Sequence, residues 1–139
     1  MTVDLSSVPR LDRPRVQMTQ IQGKSILILD FTQANGMETL EMLEAYRRIV
    51  LDQEPDSARL LVDVQGIAYD AAVSAKWKAV RMELDPFIRA SAVYGVQGLV
   101  GMAVRSYTEL MVWLKLPRAN QKIKVFKNRE DALEWLLKT

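Results

Sequence analysis

The chain has 139 residues, with 19 Lys/Arg against 17 Asp/Glu and a formal net charge of +2, the size and balance of one ordinary domain. It contains neither cysteine nor histidine. That excludes disulfides, thiolate nucleophiles, cysteine-held metal centres and every triad that needs an imidazole, leaving only carboxylates, Lys, Tyr or an oxygen-held cation for chemistry.

Residues 1–14 hold Pro9 and Pro14 among scattered charges and read as a loose arm ahead of a single domain over 15–139. The opening MTVDLSSVPRLDRPR lacks an apolar stretch of signal-peptide length, so a cytoplasmic location is expected. Val16 and Met18 alternate with polar residues, and Gln22-Gly23 offers a turn into the apolar run SILILDF. This is a hairpin feeding a buried strand. Asn35-Gly36 breaks the pattern. Leu40, Leu43, Tyr46 and Val50 then recur at helical spacing from Met37 to Asp52, with Glu38, Glu41 and Glu44 early and Arg47 and Arg48 late, as the helix dipole favours.

Glu54-Pro55-Asp56 ends that helix and leads to the strand RLLVDV. After Gly66 a second helix is predicted from Ala71 to Leu84, since Val73, Trp77, Val80 and Leu84 fall within about 60° of arc at 100° per residue. They are expected in the core. Asp85-Pro86 should end it. A strand over 91–96 follows. The most apolar window, Leu99 to Leu116, is interrupted by Arg105, Glu109 and Lys115, so it reads as an amphipathic helix and not as a membrane span. Lys122 to Val125 alternates as a half-exposed strand, and Asn128 caps a final helix with Ala132, Leu133 and Leu136 inward. Strands alternating with helices predict one α/β domain: a mixed, mostly parallel sheet of about five strands with about four helices.

The charge is uneven. Residues 1–86 carry 10 Lys/Arg against 13 Asp/Glu, and residues 87–139 carry 9 against 4. Six basic residues fall between Lys115 and Arg129 without an acid. No nucleic-acid-binding signature accompanies them, so they read as a solvated rim around an edge strand, and nucleic acid is not the expected partner.

Three segments carry a family resemblance. They are Leu60-Leu61-Val62-Asp63-Val64-Gln65-Gly66, then Ala90-Ser91-Ala92-Val93-Tyr94-Gly95-Val96-Gln97-Gly98-Leu99, and finally Ile123-Lys124-Val125-Phe126 with Glu130-Asp131-Ala132-Leu133-Glu134-Trp135-Leu136. In order and spacing the chain resembles the STAS fold (sulphate transporter and anti-sigma-factor antagonist), in its SpoIIAA-like branch of small stand-alone bacterial proteins. The resemblance implies a helix-covered mixed sheet and a regulatory or binding role with no reaction and no cofactor. Anti-sigma-factor antagonists present a phosphorylatable serine where the helix after the Asp-containing strand begins. Here that place reads Tyr69-Asp70-Ala71-Ala72, and the nearest serine hydroxyl is Ser74. The phosphoserine switch is therefore expected to be missing.

Asp63 and Asp70 flank the loop where open α/β sheets place ligands, as a cation pair or an acid/base pair, or as plain caps of a strand end and a helix start. Asp70 suits the cap. The glycines of Gly95-Val96-Gln97-Gly98-Leu99-Val100-Gly101 match neither a dinucleotide fingerprint nor a phosphate loop and read as a tight turn. On helix 99–116, Met102, Trp113 and Leu116 lie off the apolar face and suit a partner contact.

The leading expectation is a non-enzymatic protein-interaction module that binds a protein partner or itself as a homodimer. Its candidate surface is Ile67, Tyr69, Asp70, Met102, Trp113 and Leu116. The alternative is a carrier or sensor of a small apolar ligand such as an acyl chain, with Met82, Met102, Met111, Trp77 and Trp113 lining a pocket.

Overall fold

The computed structural model describes residues 15–68, 70–96 and 122–139. Strands β1 (Val16–Ile21) and β2 (Lys24–Asp30) form the expected hairpin. Its two turn residues, Gln22 at φ 52° and Gly23 at φ 80°, are both left-handed. That is the turn whose twist matches paired strands. Helix α1 (Gly36–Leu51) follows, then β3 (Ala58–Asp63), helix α2 (Ala71–Leu84), a short 3-10 turn (Asp85–Phe87), β4 (Ile88–Tyr94), β5 (Ile123–Phe126) and helix α3 (Arg129–Leu137).

The sheet order is β1-β2-β3-β4-β5, with β1 antiparallel to β2 and every other pair parallel. The expected five-stranded, mostly parallel sheet is thus present, with three α-helices among the described residues. The helix expected over 99–116 lies outside them. Strand β4 begins three residues before the predicted Ser91, because Asp85-Pro86 turns the chain at once and Ile88 pairs with Ala58. It ends at Tyr94, where Gly95 takes φ +86°.

The β2–β3 and β3–β4 crossovers step the same way across the sheet, so α1 and α2 share one face. Leu27, Leu29, Leu60, Val62 and Val93 of the sheet pack there against Leu43, Tyr46, Val50, Val73, Trp77, Val80 and Leu84. Phe31 and Trp77 meet with ring centroids 5.0 Å apart. The opposite face carries Ile26, Leu61, Ala90 and Ala92 beneath Ala132 and Leu136 of α3. Strand alternation dictates this division, since successive side chains of β2 and β3 point to opposite faces. Each fully buried Leu, Val or Phe contributes about 1.5–3 kcal/mol.

Outside the core, α1 and α2 are tied by Lys76 Nζ to Glu44 Oε2 at 3.0 Å and by Arg47 to both oxygens of Glu83 at 2.6 and 3.0 Å. The hydrogen bond and charge of Lys76 lower the Glu44 carboxyl below 4.5, and those of Arg47 lower Glu83 likewise.

Candidate functional site

Strands β2, β3 and β4 end in register on Asp30, Asp63 and Tyr94. Each carboxylate serves its own turn: Asp30 Oδ1 accepts from Thr32 N at 3.0 Å, and Asp63 Oδ1 from Gln65 N at 3.0 Å. Burial pushes the Tyr94 hydroxyl up to about 12, with the Asp63 charge adding to it. The chain then passes so close over the Asp63 turn that a β-carbon on Gly95 would stand 2.8 Å from Asp63 Oδ1 and 2.9 Å from Gln65 N. Gly95 thus makes a tight turn, whereas Gly98 and Gly101 of the same run lie outside the described residues.

The N-termini of α1 and α2 lie side by side on these strand ends. Asn35 closes a capping box, accepting from Glu38 N at 2.8 Å while Glu38 Oε1 accepts from Asn35 N at 3.1 Å. Asp70 caps α2, its Oδ1 accepting from Val73 N at 2.8 Å. Its other oxygen faces α1, 3.4 Å from where a β-carbon on Gly36 would sit. Two backbone bonds zip the preceding loops together, Gln33 N to Gln65 O at 2.8 Å and Ala68 N to Ala34 O at 2.9 Å. Asp63 and Asp70 are engaged by different partners, as strand-end and helix caps.

Of the sequence-predicted surface, Asp70 is exposed at this site, whereas Ile67 is not. Its side chain is buried in the core beneath the loop, because an apolar group between Val64 and Ala68 gains more there than in water. Tyr69, Met102, Trp113 and Leu116 lie outside the described residues. Ser74 is buried within α2, and the exposed start of that helix is Asp70, Ala71 and Ala72. The apolar group missed by periodicity is Met37, 73 % exposed at the start of α1.

A second feature lies inside. Between the sheet and α1/α2 is a partly open cavity of about 20 Å³, room for about one water molecule, bounded by Phe31, Tyr46, Trp77, Arg81, Ser91 and Ile123 among others. Arg81 is 6 % exposed. Its Nη1 donates to Ser91 Oγ at 2.8 Å. Its Nε and Nη2 are buried without a hydrogen bond of good geometry among the described residues, although Tyr46 lies near enough to add a side-chain hydrogen-bond contribution. Burial pulls the guanidinium below its ordinary value, and the same burial pushes Tyr46 up to about 12 against the pull of the Arg81 charge.

Arg81 was legible as an oddity, since at 100° per residue it falls about 40° from Trp77 on the apolar arc of α2. The same geometry puts Met82 about 180° from Val73. Met82 is indeed 70 % exposed, so it lines no pocket, contrary to the carrier expectation; Trp77 does line the cavity, and Met102, Met111 and Trp113 lie outside the described residues. The basic run is divided in its described part. Lys122 donates to Asp85 O at 2.7 Å, and Lys124 sits 5.6 Å over the Phe126 ring.

Among the described residues no three His, Cys, Asp or Glu side chains group as metal ligands, and no helix is long and apolar enough to cross a membrane. No curated protein matches the chain. A solved structure described as an anti-sigma-factor antagonist (STAS) domain protein from Planctomyces limnophilus is similar at 12 % identity, over 86 % of this chain and 96 % of that one, with a TM-score of 0.43. The family model described as SpoIIAA-like matches residues 22–137, which hold every strand after β1 and all three helices. The chain belongs to the SpoIIAA-like family.

Proposed function

We propose that this chain is a non-enzymatic regulatory module that binds a protein partner, or a second copy of itself, at the paired N-termini of α1 and α2. The observation that carries this reading is Met37, 73 % exposed and next to Gly36, where an added β-carbon would stand 3.4 Å from Asp70, with Ala68, Ala71 and Ala72 also exposed around that cap. Flexible methionine adapts to a partner, and small neighbours let it approach. Among the described residues the α2 N-terminus offers no accessible serine or threonine hydroxyl for phosphate, since Ser74 is buried and Asp70 already caps the helix. The module therefore binds without a phosphoserine switch. The carboxylates a reaction would need are spent on caps and turns.

The test is cross-linking and native mass spectrometry of Met37→Asp and Ala71→Arg, with Met82→Asp as the remote control. All three should keep the parent circular dichroism. Loss of the dimer or bound partner in the first two alone supports the reading; equal loss in the control, or no loss at all, overturns it.

A further inference from the structure

Among the described residues the sheet has two outer strands, β1 and β5, and they are guarded differently. An outer strand presents unpaired N–H and C=O groups to any chain that can pair with it, and folds blunt such an edge with short length, lysine, proline or a bulge. Strand β5 is four residues long, carries Lys124 and is flanked by Lys122 and Lys127. Strand β1, Val16-Gln17-Met18-Thr19-Gln20-Ile21, is six residues long, has no charge and no proline, and pairs with β2 without a register shift.

One bond fixes which groups of β1 face outward. Asp30 N donates to Arg15 O at 2.7 Å, so Arg15 and Asp30 form a hydrogen-bonded pair, and such pairs alternate with non-bonded ones along an antiparallel ladder. In the register from Val16↔Leu29 to Ile21↔Lys24, Gln17, Thr19 and Ile21 therefore turn their N–H and C=O groups toward β2. Val16, Met18 and Gln20 turn theirs outward, and those groups have no backbone partner among the described residues. One antiparallel register lets a second β1 satisfy all of them: Met18 faces the second copy's Met18, and Val16 and Gln20 face each other across the pair. The side chains agree with it. Met18, 40 % exposed, is covered by its own mate on the α1 side, Gln17 meets Thr19 on the other side, and no like charges are opposed.

We propose that β1 is a dimerisation edge, at which two copies of this chain join antiparallel about Met18 into one continuous sheet. The lysines of β5 oppose the same extension at the other edge, so the assembly closes as a two-fold dimer and does not run on as a fibre. This surface is distinct from the one proposed at the α1 and α2 N-termini and is tested separately from it.

The experiment joins sedimentation velocity of the full chain to residue-resolved hydrogen exchange by NMR on the same sample. The parent should sediment as a dimer in which the Val16, Met18 and Gln20 amides are protected along with those of Gln17, Thr19 and Ile21. Met18→Pro should weaken the dimer at least about 10-fold, since it removes both hydrogen bonds of the symmetric central pair. An edge strand tolerates proline where the N–H it replaces faces outward, so the β1–β2 ladder should survive. In that variant the Val16 and Gln20 amides should lose protection while Gln17, Thr19 and Ile21 keep theirs. If Met18→Pro departs from the parent circular dichroism, Met18→Lys replaces it, setting two ammonium groups against each other on the two-fold. If neither variant folds, the exchange pattern of the parent decides. A monomeric parent, a dimer whose Val16 and Gln20 amides exchange freely, protection of those amides in a monomer, or an undiminished dimer in a folded variant overturns the proposal. Met37→Asp should leave this dimer intact; loss of the dimer there and not in Met18→Pro assigns it to the helix N-termini and overturns the edge pairing alone.

Discussion

Gly95→Ala isolates the close approach that shapes the strand-end turns. A β-carbon at Gly95 would lie 2.8 Å from Asp63 Oδ1 and 2.9 Å from the backbone nitrogen of Gln65, at φ +86°. Left-handed backbone costs an L-residue about 1–2 kcal/mol. Overpacking against atoms that do not retreat adds about 1–3 kcal/mol, for a total of about 2–5. Gly23 provides the reference, with φ +80° and nothing within 4 Å of its added carbon. Gly23→Ala should therefore lose only the backbone part, about 1–2 kcal/mol. Urea titrations followed by far-ultraviolet circular dichroism measure both, and an unchanged m-value certifies that stability alone has moved. In thermal melts the excess at Gly95 corresponds to about 2–4 °C per kcal/mol for a domain of this size. Losses equal within about 0.5 kcal/mol would refute the steric argument, leaving conformational preference as the whole effect.

Other outcomes follow from the same geometry. Asp70→Ala should cost about 1 kcal/mol, and Asp70→Asn, which keeps an acceptor for Val73 N, under about 0.5 in the same titration. Burial holds the Tyr46 hydroxyl up to about 12 against an ordinary 10.0. The stability this confers is full below the ordinary value and is lost as pH rises through the folded value. Tyr46→Phe should flatten the alkaline fall in melting temperature that begins near pH 10 and runs toward pH 12. Glu44 and Glu83 have carboxyls lowered from 4.5 by Lys76 and Arg47, so their contribution is present above that value and lost as pH falls through the lowered ones. Lys76→Met with Arg47→Met should shrink the acid limb of the same melting profile, and by little, since the ion pairs are exposed.

Local signals carried most of the fold. Helix α2 runs over the predicted Ala71–Leu84, because its apolar arc, its aspartate cap and the following Asp85-Pro86 all lie within the segment. The hairpin at Gln22-Gly23 and the Asn128 cap of α3 were legible for the same reason. The start of β4 was not. Ile88, Arg89 and Ala90 become strand because Ala58 and Arg59 are there to pair with, and nothing in their own composition demands it. Ile67 reads as loop in the chain and as core in the fold, since a loop residue is buried by what lies beneath it.

By itself, the sequence determined element types, helix boundaries and caps, the parallel α/β class, the family and the missing serine at the start of α2. These depend on dihedral preference, side-chain period and hydrogen bonds spanning three or four residues. Tertiary structure alone decided which groups meet. It set the α1 and α2 N-termini together so that Gly36 faces Asp70, and it brought Gly95 down onto the Asp63 turn. It also aimed Arg81 of one helix at Ser91 of a strand, across a cavity walled by a second helix. Such meetings arise from sheet order and crossover direction, which couple residues tens of positions apart, and no local pattern encodes that distance.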